Sequence, residues 1–271
     1  MFAFDVSSFF TVRAARKNKG RQILNYLWVC HERPYALNFD AMCHVPLNAM
    51  DNVFENAKKY PDAQVCLWMN LDEMNDTTRY FVQSHFYLFA PDNVRLCNLL
   101  DIPAYRHSPM LKPNYEIPEE DGFICRPGTL AKVDLARLYV IKHCFETTSA
   151  CDVFYSDMDV KDAQLNAPRH TRCLKTFGMV FAKTWDGIEN GYMAFRRDSK
   201  GQAFLTESLI GRTEERLSKG LGGWHALKDG LDAWGKKTGI WLLQWRLAVM
   251  PIPHSGKPME WPVSYQKMGI N

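Results

Sequence analysis

Short apolar runs alternate with amphipathic stretches along most of the chain, and that alternation sets the predicted elements. Ile23–Val29 (ILNYLWV) is rich in β-forming apolar side chains and predicts a buried first strand. A helical stretch over 47–60 is ended by Pro61, and Ala63–Met69 predicts a second strand. Asp76-Thr-Thr-Arg79 opens a helix that reaches Leu88, with Asp76 or Thr77 as its N-cap. Val94–Leu99 predicts a third strand. Residues 101–128, rich in proline and acidic toward the end, predict irregular structure. A long helix over Leu130–Phe145 follows Pro127-Gly128-Thr129, and Val153–Tyr155 predicts a strand running into Ser156-Asp157-Met158-Asp159. Gly178–Ala182 and Tyr192–Phe195 predict further strands. Ala203–Lys219 and Ala226–Lys237 predict helices, and 247–271 is apolar and then rich in proline and glycine. Strands alternating with helices predict an α/β sheet flanked by helices. No repeat, low-complexity tract or linker interrupts it, so residues 1–271 read as a single domain.

Composition narrows the class without naming a function. With 271 residues, 46% hydrophobic and 23% charged, the chain can bury a sizeable core, which excludes wholesale disorder, collagen and a disulfide miniprotein. A formal net charge of +3 is too small to indicate a nucleic-acid or membrane partner. One local excess stands out. Arg13–Arg21 places five cations in nine residues and reads first as a solvated basic extension over 1–21, with an acceptor phosphate backbone or an anionic lipid as the functional alternative. The N-terminus MFAFDVSSFF carries Asp5 and places its cations after the apolar run, the wrong order for a secretory signal, and no window is long enough to predict a transmembrane segment. Cys30, Cys43, Cys66, Cys97, Cys125, Cys144, Cys151 and Cys173 form no C-x-x-C pair, which predicts buried free thiols and a cytoplasmic location.

The sharpest chemical feature is Asp157-Met158-Asp159. On extended backbone, residues two apart point the same way, so both carboxylates converge while Met158 turns aside. Two hard oxygens at that spacing suit Mn²⁺ or Mg²⁺, which commonly also takes ligands from a substrate phosphate. A polar turn with two solvated carboxylates is the competing reading. In the preceding helix, Asp134 and Arg137 are neighbours at i, i+3 on a stripe shared with Leu130 and Ile141. Charges on a core-facing stripe need each other or a ligand. Near the C-terminus, Pro253-His254-Ser255-Gly256-Lys257-Pro258 offers a histidine for an oxygen-rich metal site and a lysine for a phosphate; by itself it reads as a proline-rich tail.

Taken together, Trp28 after the first strand, Asp134-x-x-Arg137 on a helix and Asp157-x-Asp159 after a later strand resemble the GT-A fold glycosyltransferases with a DXD sugar-binding region. That group includes the clostridial glucosylating toxins and related mannosyltransferases. His254-x-Gly256-Lys257-Pro258 is similar to the C-terminal element of the glycogenin-like family. The resemblance covers about residues 21–200 and the tail. It implies a GT-A (Rossmann-like) mixed sheet and a metal-dependent glycosyltransferase, hexosyltransferase-like, which moves a sugar from a nucleotide-diphosphate sugar with retention. In that reading Trp28 stacks on the nucleotide base. Asp134 and Arg137 hold the donor sugar or ribose, and Asn190 contacts the sugar. Asp157 faces ribose and metal, Asp159 and His254 bind the metal, and Lys257 holds the departing β-phosphate. The cofactor is Mn²⁺ or Mg²⁺, the donor a UDP-sugar or GDP-sugar, and the acceptor a protein, glycan, lipid or modified nucleic acid. No nucleophile or base stands out; Asp186 and Glu189 are the nearest carboxylates.

Two alternatives remain open from the residues. An aspartate-nucleophile phosphatase or phosphotransferase also carries D-x-D after a strand, although that motif wants Thr or Val where this chain has Lys161. A non-catalytic nucleotide-sugar-binding module would keep the cleft without turnover. Gly220–His225 reads as a loop that could line the acceptor side, and Trp241 and Trp245 as core.

Overall fold

The computed structural model describes residues 22–29, 47–111, 128–158, 160–184, 187–219, most of 226–234, and 249–251. Among the described residues seven strands form one mixed sheet: β1 (Gln22–Trp28), β2 (Gln64–Met69), β3 (Val94–Asn98), β4 (Asp152–Ser156), β5 (Met179–Thr184), β6 (Gly187–Arg196) and β7 (Val249–Pro251). Their order across the sheet is β3-β2-β1-β4-β6-β5-β7. The first four are mutually parallel, β6 runs antiparallel between β4 and β5, and β7 is parallel to β5. This is an α/β fold with helices on both faces.

The strands read as near-continuous apolar runs because both faces of the sheet are covered. On one face lie α1 (Leu47–Lys59), α2 (Asp76–Phe89) and α5 (Pro168–Phe177), packed over Leu24, Tyr26, Leu67, Phe154 and Ala194. On the other lie α3 (Pro103–His107), α4 (Gly128–Thr147), α6 (Lys200–Phe204) and α7 (Ile210–Ser218), over Ile23, Trp68, Val153, Tyr155 and Phe195. Helix α4 is buried almost all round from Lys132 to Ile141, so its charged residues sit in the core. That is the burial expected of a helix without a solvated face.

The predicted elements before β4 recur within a residue or two, with informative differences. The N-cap of α2 is Asn75, whose side chain accepts from the Thr78 amide, and Asp76 is the first helical residue. Within the stretch expected to be irregular, Pro103–His107 is helical, and 3₁₀ turns cover Leu99–Asp101 and Pro109–Leu111. Helix α6 begins at Lys200, capped by Ser199, and runs into α7 through a π-helical turn at Leu205–Leu209. Helix α5 was not anticipated. It starts with Pro168 at its first turn and ends at Gly178, whose φ is +74°. A side chain is excluded there, since a Cβ would lie 2.1 Å from Ser199 Oγ. Of the five described cysteines all are free; Cys66, Cys144 and Cys173 are buried as expected, whereas Cys97 is partly exposed and Cys151 exposed.

Candidate functional site

The order β3-β2-β1-β4 creates the place where a ligand belongs. The chain builds outward from β1 through β2 to β3, then returns to the other side of β1 as β4. Crossover connections diverge at the carboxyl ends of β1 and β4, and the crevice between them is the usual ligand position of an open α/β sheet. Trp28 is the last residue of β1, and Asp157 follows the last residue of β4. The two sequence-predicted residues therefore flank that switch point. Trp28 is half-buried and packs on the α1/α2 face of the sheet.

Beneath Asp157 lies a buried polar network. Asp134 is 1% and Asn190 6% exposed, and Arg137 is equally enclosed. The Asn190 amide donates to Asp134 Oδ1 at 2.9 Å. The Arg137 guanidinium donates to the Asn190 carbonyl at 2.8 Å and to its Oδ1 at 3.0 Å. Arg137 also lies 3.5 Å from Asp134 and 3.6 Å from Asp157, with its guanidinium 5.0 Å from the centre of the Tyr155 ring. Asp157 is the open member, with its side chain 37% exposed. Its Oδ1 accepts from the Tyr155 hydroxyl at 2.9 Å. Burial pushes the Tyr155 phenol well above its ordinary value, so the hydroxyl remains a donor. The Asp134/Arg137/Asp157 set carries one net negative charge, a setting that favours a cation at its exposed end.

A bulge delivers Asn190. Across the β5–β6 pair, Phe181 faces Met193 but the next residue, Ala182, faces Glu189. The Cα register between the strands thus skips Asn190, Gly191 and Tyr192. Such a local expansion re-aims side chains and carbonyls. Here it turns the Asn190 amide onto α4 and presents the Gly191 carbonyl to the Asp157 backbone N–H at 2.7 Å. Asn190 accordingly lies inside β6, where the sequence reading had placed it before a strand. Gly191 in the interior of the strand was the available signal for the bulge.

The turn at Asp157 differs from the extended arrangement expected for the D-x-D. Strand β4 ends at Ser156, and the Asp157 carbonyl accepts from Val160 N at 3.2 Å, closing a turn. Met158 is buried by that turn, among residues of α1 and α5. Strand alternation therefore ends at Ser156.

Sequence reasoning overlooked the polar groups that hold the segment from behind. Asn52 and Asn56, one turn apart on α1, bind the backbone of residues 158–163. Tyr192 donates to the Ala163 carbonyl at 2.7 Å, so the His170 ring, 3.1 Å from the same hydroxyl, is its donor. Burial drives the His170 imidazole below its ordinary value, with smaller opposing effects from neighbouring groups. Asp162 joins Lys59 and Tyr60. Burial acts to raise its carboxyl, and those two partners outweigh it, holding it below the usual carboxylate range. Asparagines on an otherwise apolar helix face, at i and i+4, were the readable signal.

Among the described residues no three His, Cys, Asp or Glu side chains gather at metal-ligand spacing. Asp157 supplies one half-exposed hard oxygen donor on a negatively charged base, which fits a divalent ion. Asp159, His254 and Lys257, the other predicted metal and phosphate residues, lie outside the described residues, as do Asp186, Arg13–Arg21, Gly220–His225, Trp241 and Trp245. Glu189 lies on β6 opposite Ala182. No described helix is long and apolar enough to cross a membrane.

No protein-family model and no curated protein matches the chain. Solved structures of similar chain course include PaToxG Glycosyltransferase, 17% identical, with 92% of this chain and 82% of that one aligned at a TM-score of 0.46. Another is a structure described only as a transferase, 14% identical over 81% and 86% of the two chains, TM-score 0.45. A third is the bacterial N-acetylglucosamine transferase NleB, 12% identical over 88% and 94%, TM-score 0.42. Similarity at this level assigns no residue a role.

Proposed function

We propose that this chain is a metal-dependent glycosyltransferase of GT-A type that uses a nucleotide-diphosphate sugar. The observation that carries the reading is the half-exposed Asp157 at the β1/β4 switch point, held from below by the buried Asp134–Arg137–Asn190 network. An apolar replacement of a buried charged network is often as stable as the network itself, which supports a role for this one beyond stability, and its open end is the Asp157 carboxylate at the carboxyl edge of the sheet. Asp157, with Asp159 and His254, would hold Mn²⁺ or Mg²⁺. When bound, the ion neutralises charge that develops on the departing nucleoside diphosphate.

The chain's own residues do the rest. Trp28 offers an aromatic face on the β1 side of the crevice for the base. Arg137 holds Asp157 by charge, and the Tyr155 hydroxyl fixes its Oδ1, leaving the carboxylate oriented before any ligand arrives. Asp134 and Asn190 fix Arg137, and in this reading the three form the base beneath the donor sugar. Lys257 would steady the β-phosphate. Retention of configuration, a UDP- or GDP-linked hexose, and a protein, glycan, lipid or modified nucleic-acid acceptor belong to the same reading.

The test is a thermal-shift panel of UDP- and GDP-sugars with Mn²⁺ or with EDTA. At a hundredfold excess over Kd a ligand stabilises by about 2.7 kcal/mol, a shift of several degrees. The expected result is stabilisation by at least one donor with Mn²⁺ that disappears with EDTA and in Asp157→Ala, accompanied by slow donor hydrolysis. A panel in which no donor plus metal raises the melting temperature would overturn the reading.

A further inference from the structure

Helix α1 faces the segment after β4 with two asparagines, which hydrogen-bond to its backbone. Asn52 Nδ2 donates to the Met158 carbonyl at 2.7 Å and to the Val160 carbonyl at 2.8 Å. These two carbonyls flank position 159, and a single amide group takes both. One turn on, Asn56 Nδ2 reaches the Val160 and Lys161 carbonyls at 3.2 and 3.3 Å, while its Oδ1 accepts from Ala163 N at 3.0 Å. It also donates to the Asn52 carbonyl at 3.0 Å, which ties the two grips together. Both side chains are buried. Water therefore cannot replace what they supply, and the loss of either would leave backbone groups without partners in the core.

The other end of the segment is held independently. Asp157 donates its N–H to Gly191 and accepts from Val160 N and the Tyr155 hydroxyl. Asp157, Met158, Val160, Lys161 and Ala163 are thus gripped from the bulge of β6 on one side and from α1 on the other, about a hundred residues away in the chain. An asparagine is suited to this task because its NH₂ group offers two donors in one plane, matched to two carbonyls that a turn presents side by side.

We propose that Asn52 and Asn56 are positioning residues for the turn that opens at Asp157, setting the backbone from which the Asp157 carboxylate reaches the metal. The inference rests on the reading of that turn as the metal-binding segment. The pair touches no substrate; it acts through the backbone of residues 158–163. Groups that orient ligands from behind a metal site commonly change metal affinity about 10- to 100-fold when removed, and that is the effect expected here.

The experiment pairs Asn52→Leu, which keeps the side-chain shape but offers no donor, with two measurements on the full chain. Hydrogen–deuterium exchange reports the clamp without any ligand: amides of 158–163 should exchange at least tenfold faster, while those of β1 and β2 keep their wild-type protection. Binding of Mn²⁺ alone, followed by loss of the free-ion electron paramagnetic resonance signal, should weaken at least tenfold. Val82→Ala, which removes a buried side chain under α2 far from the turn, serves as the control. It should lower the melting temperature with Mn²⁺ affinity unchanged.

If wild-type protein takes up no Mn²⁺, the metal reading of the turn falls and this inference falls with it. If the wild type binds Mn²⁺ and Asn52→Leu binds it equally well, the positioning role alone is overturned. Should Asn52→Leu fail to fold, Asn52→Ser retains one donor and is expected to give an intermediate loss of Mn²⁺ affinity. Failure of both variants to fold would make Asn52 a determinant of the whole fold and would also overturn the local role.

Discussion

Replacing Arg137 by Met tests the network under Asp157 most directly, because it removes the charge and all its donors while keeping an unbranched side chain in the space. At 3.5 Å and an effective dielectric constant near 20, the Arg137–Asp134 attraction is about 5 kcal/mol before desolvation is counted. The pair with Asp157, at 3.6 Å but with that carboxylate 37% exposed, is screened by solvent and adds about 1 kcal/mol at most. The larger consequence falls on Asp134, which keeps its bond from Asn190 but loses its counter-charge while 1% exposed. Stranding a buried charge in this way costs about 3–5 kcal/mol. For a chain of this size each kcal/mol corresponds to roughly 2–4 °C of melting temperature, so Arg137→Met should melt about 6–20 °C below wild type at pH 7, read by circular dichroism. The double variant Asp134→Leu with Arg137→Met removes both charges, and much of the loss should return, since an apolar pair of similar volume is often as stable as a buried ion pair. A single variant melting within about 2 °C of wild type, or a double variant as unstable as the sum of the singles, would refute the claim that this is a coupled buried pair.

Three further outcomes follow from the same contacts. Tyr192→Phe removes the donor to the Ala163 carbonyl and the acceptor of the His170 ring, both buried, and should lower unfolding free energy by about 1–3 kcal/mol in urea titrations; no change would mean that the hydroxyl is dispensable. Gly178→Ala places a Cβ 2.1 Å from Ser199 Oγ at a φ of +74° and should cost about 1–3 kcal/mol, with an unaltered melting curve counting against the tight approach of α5 to α6. Burial holds His170 and His143 below their ordinary values, so the unfolded chain binds more protons than the folded one as pH falls below about 6.5. Stability should therefore be level at neutral pH and decline through the range beneath it, and the decline should be shallower in His170→Gln and His143→Gln; a profile unchanged in both variants would contradict the assignment.

What could be read along the chain was what neighbours in sequence decide. Strand β1 and strand β2 are apolar runs bounded by polar residues and Pro61, and each appears within a residue of its expected limits. The pairing of Asp134 with Arg137 follows from helical geometry alone and holds in the core at 3.5 Å. Helix α5 was illegible by apolar periodicity because its first turns are Pro168-Arg169-His170-Thr171-Arg172. Its buried residues are spaced between cations, and His170 is buried only because the Tyr192 hydroxyl is there to receive it. That β4 stops at Ser156 was illegible for a related reason. Whether residues beyond Ser156 continue a strand depends on the neighbouring strand, and beside Asp157 that neighbour is the bulge in β6.

By itself, then, the sequence determined the alternation of strands and helices, the placement of a charged pair on a core-facing helix, and the presence of a carboxylate pair just after a strand. All of these are set by backbone periodicity over a few residues. Tertiary structure alone decided the strand order that puts Trp28 and Asp157 at one switch point, the bulge that carries Asn190 onto Asp134, and the grip of Asn52 on Met158 and Val160. Each of those joins residues more than fifty apart. Their physical cause is the requirement that every buried polar group find a partner somewhere in the folded chain, and no short stretch of sequence states where that partner will be.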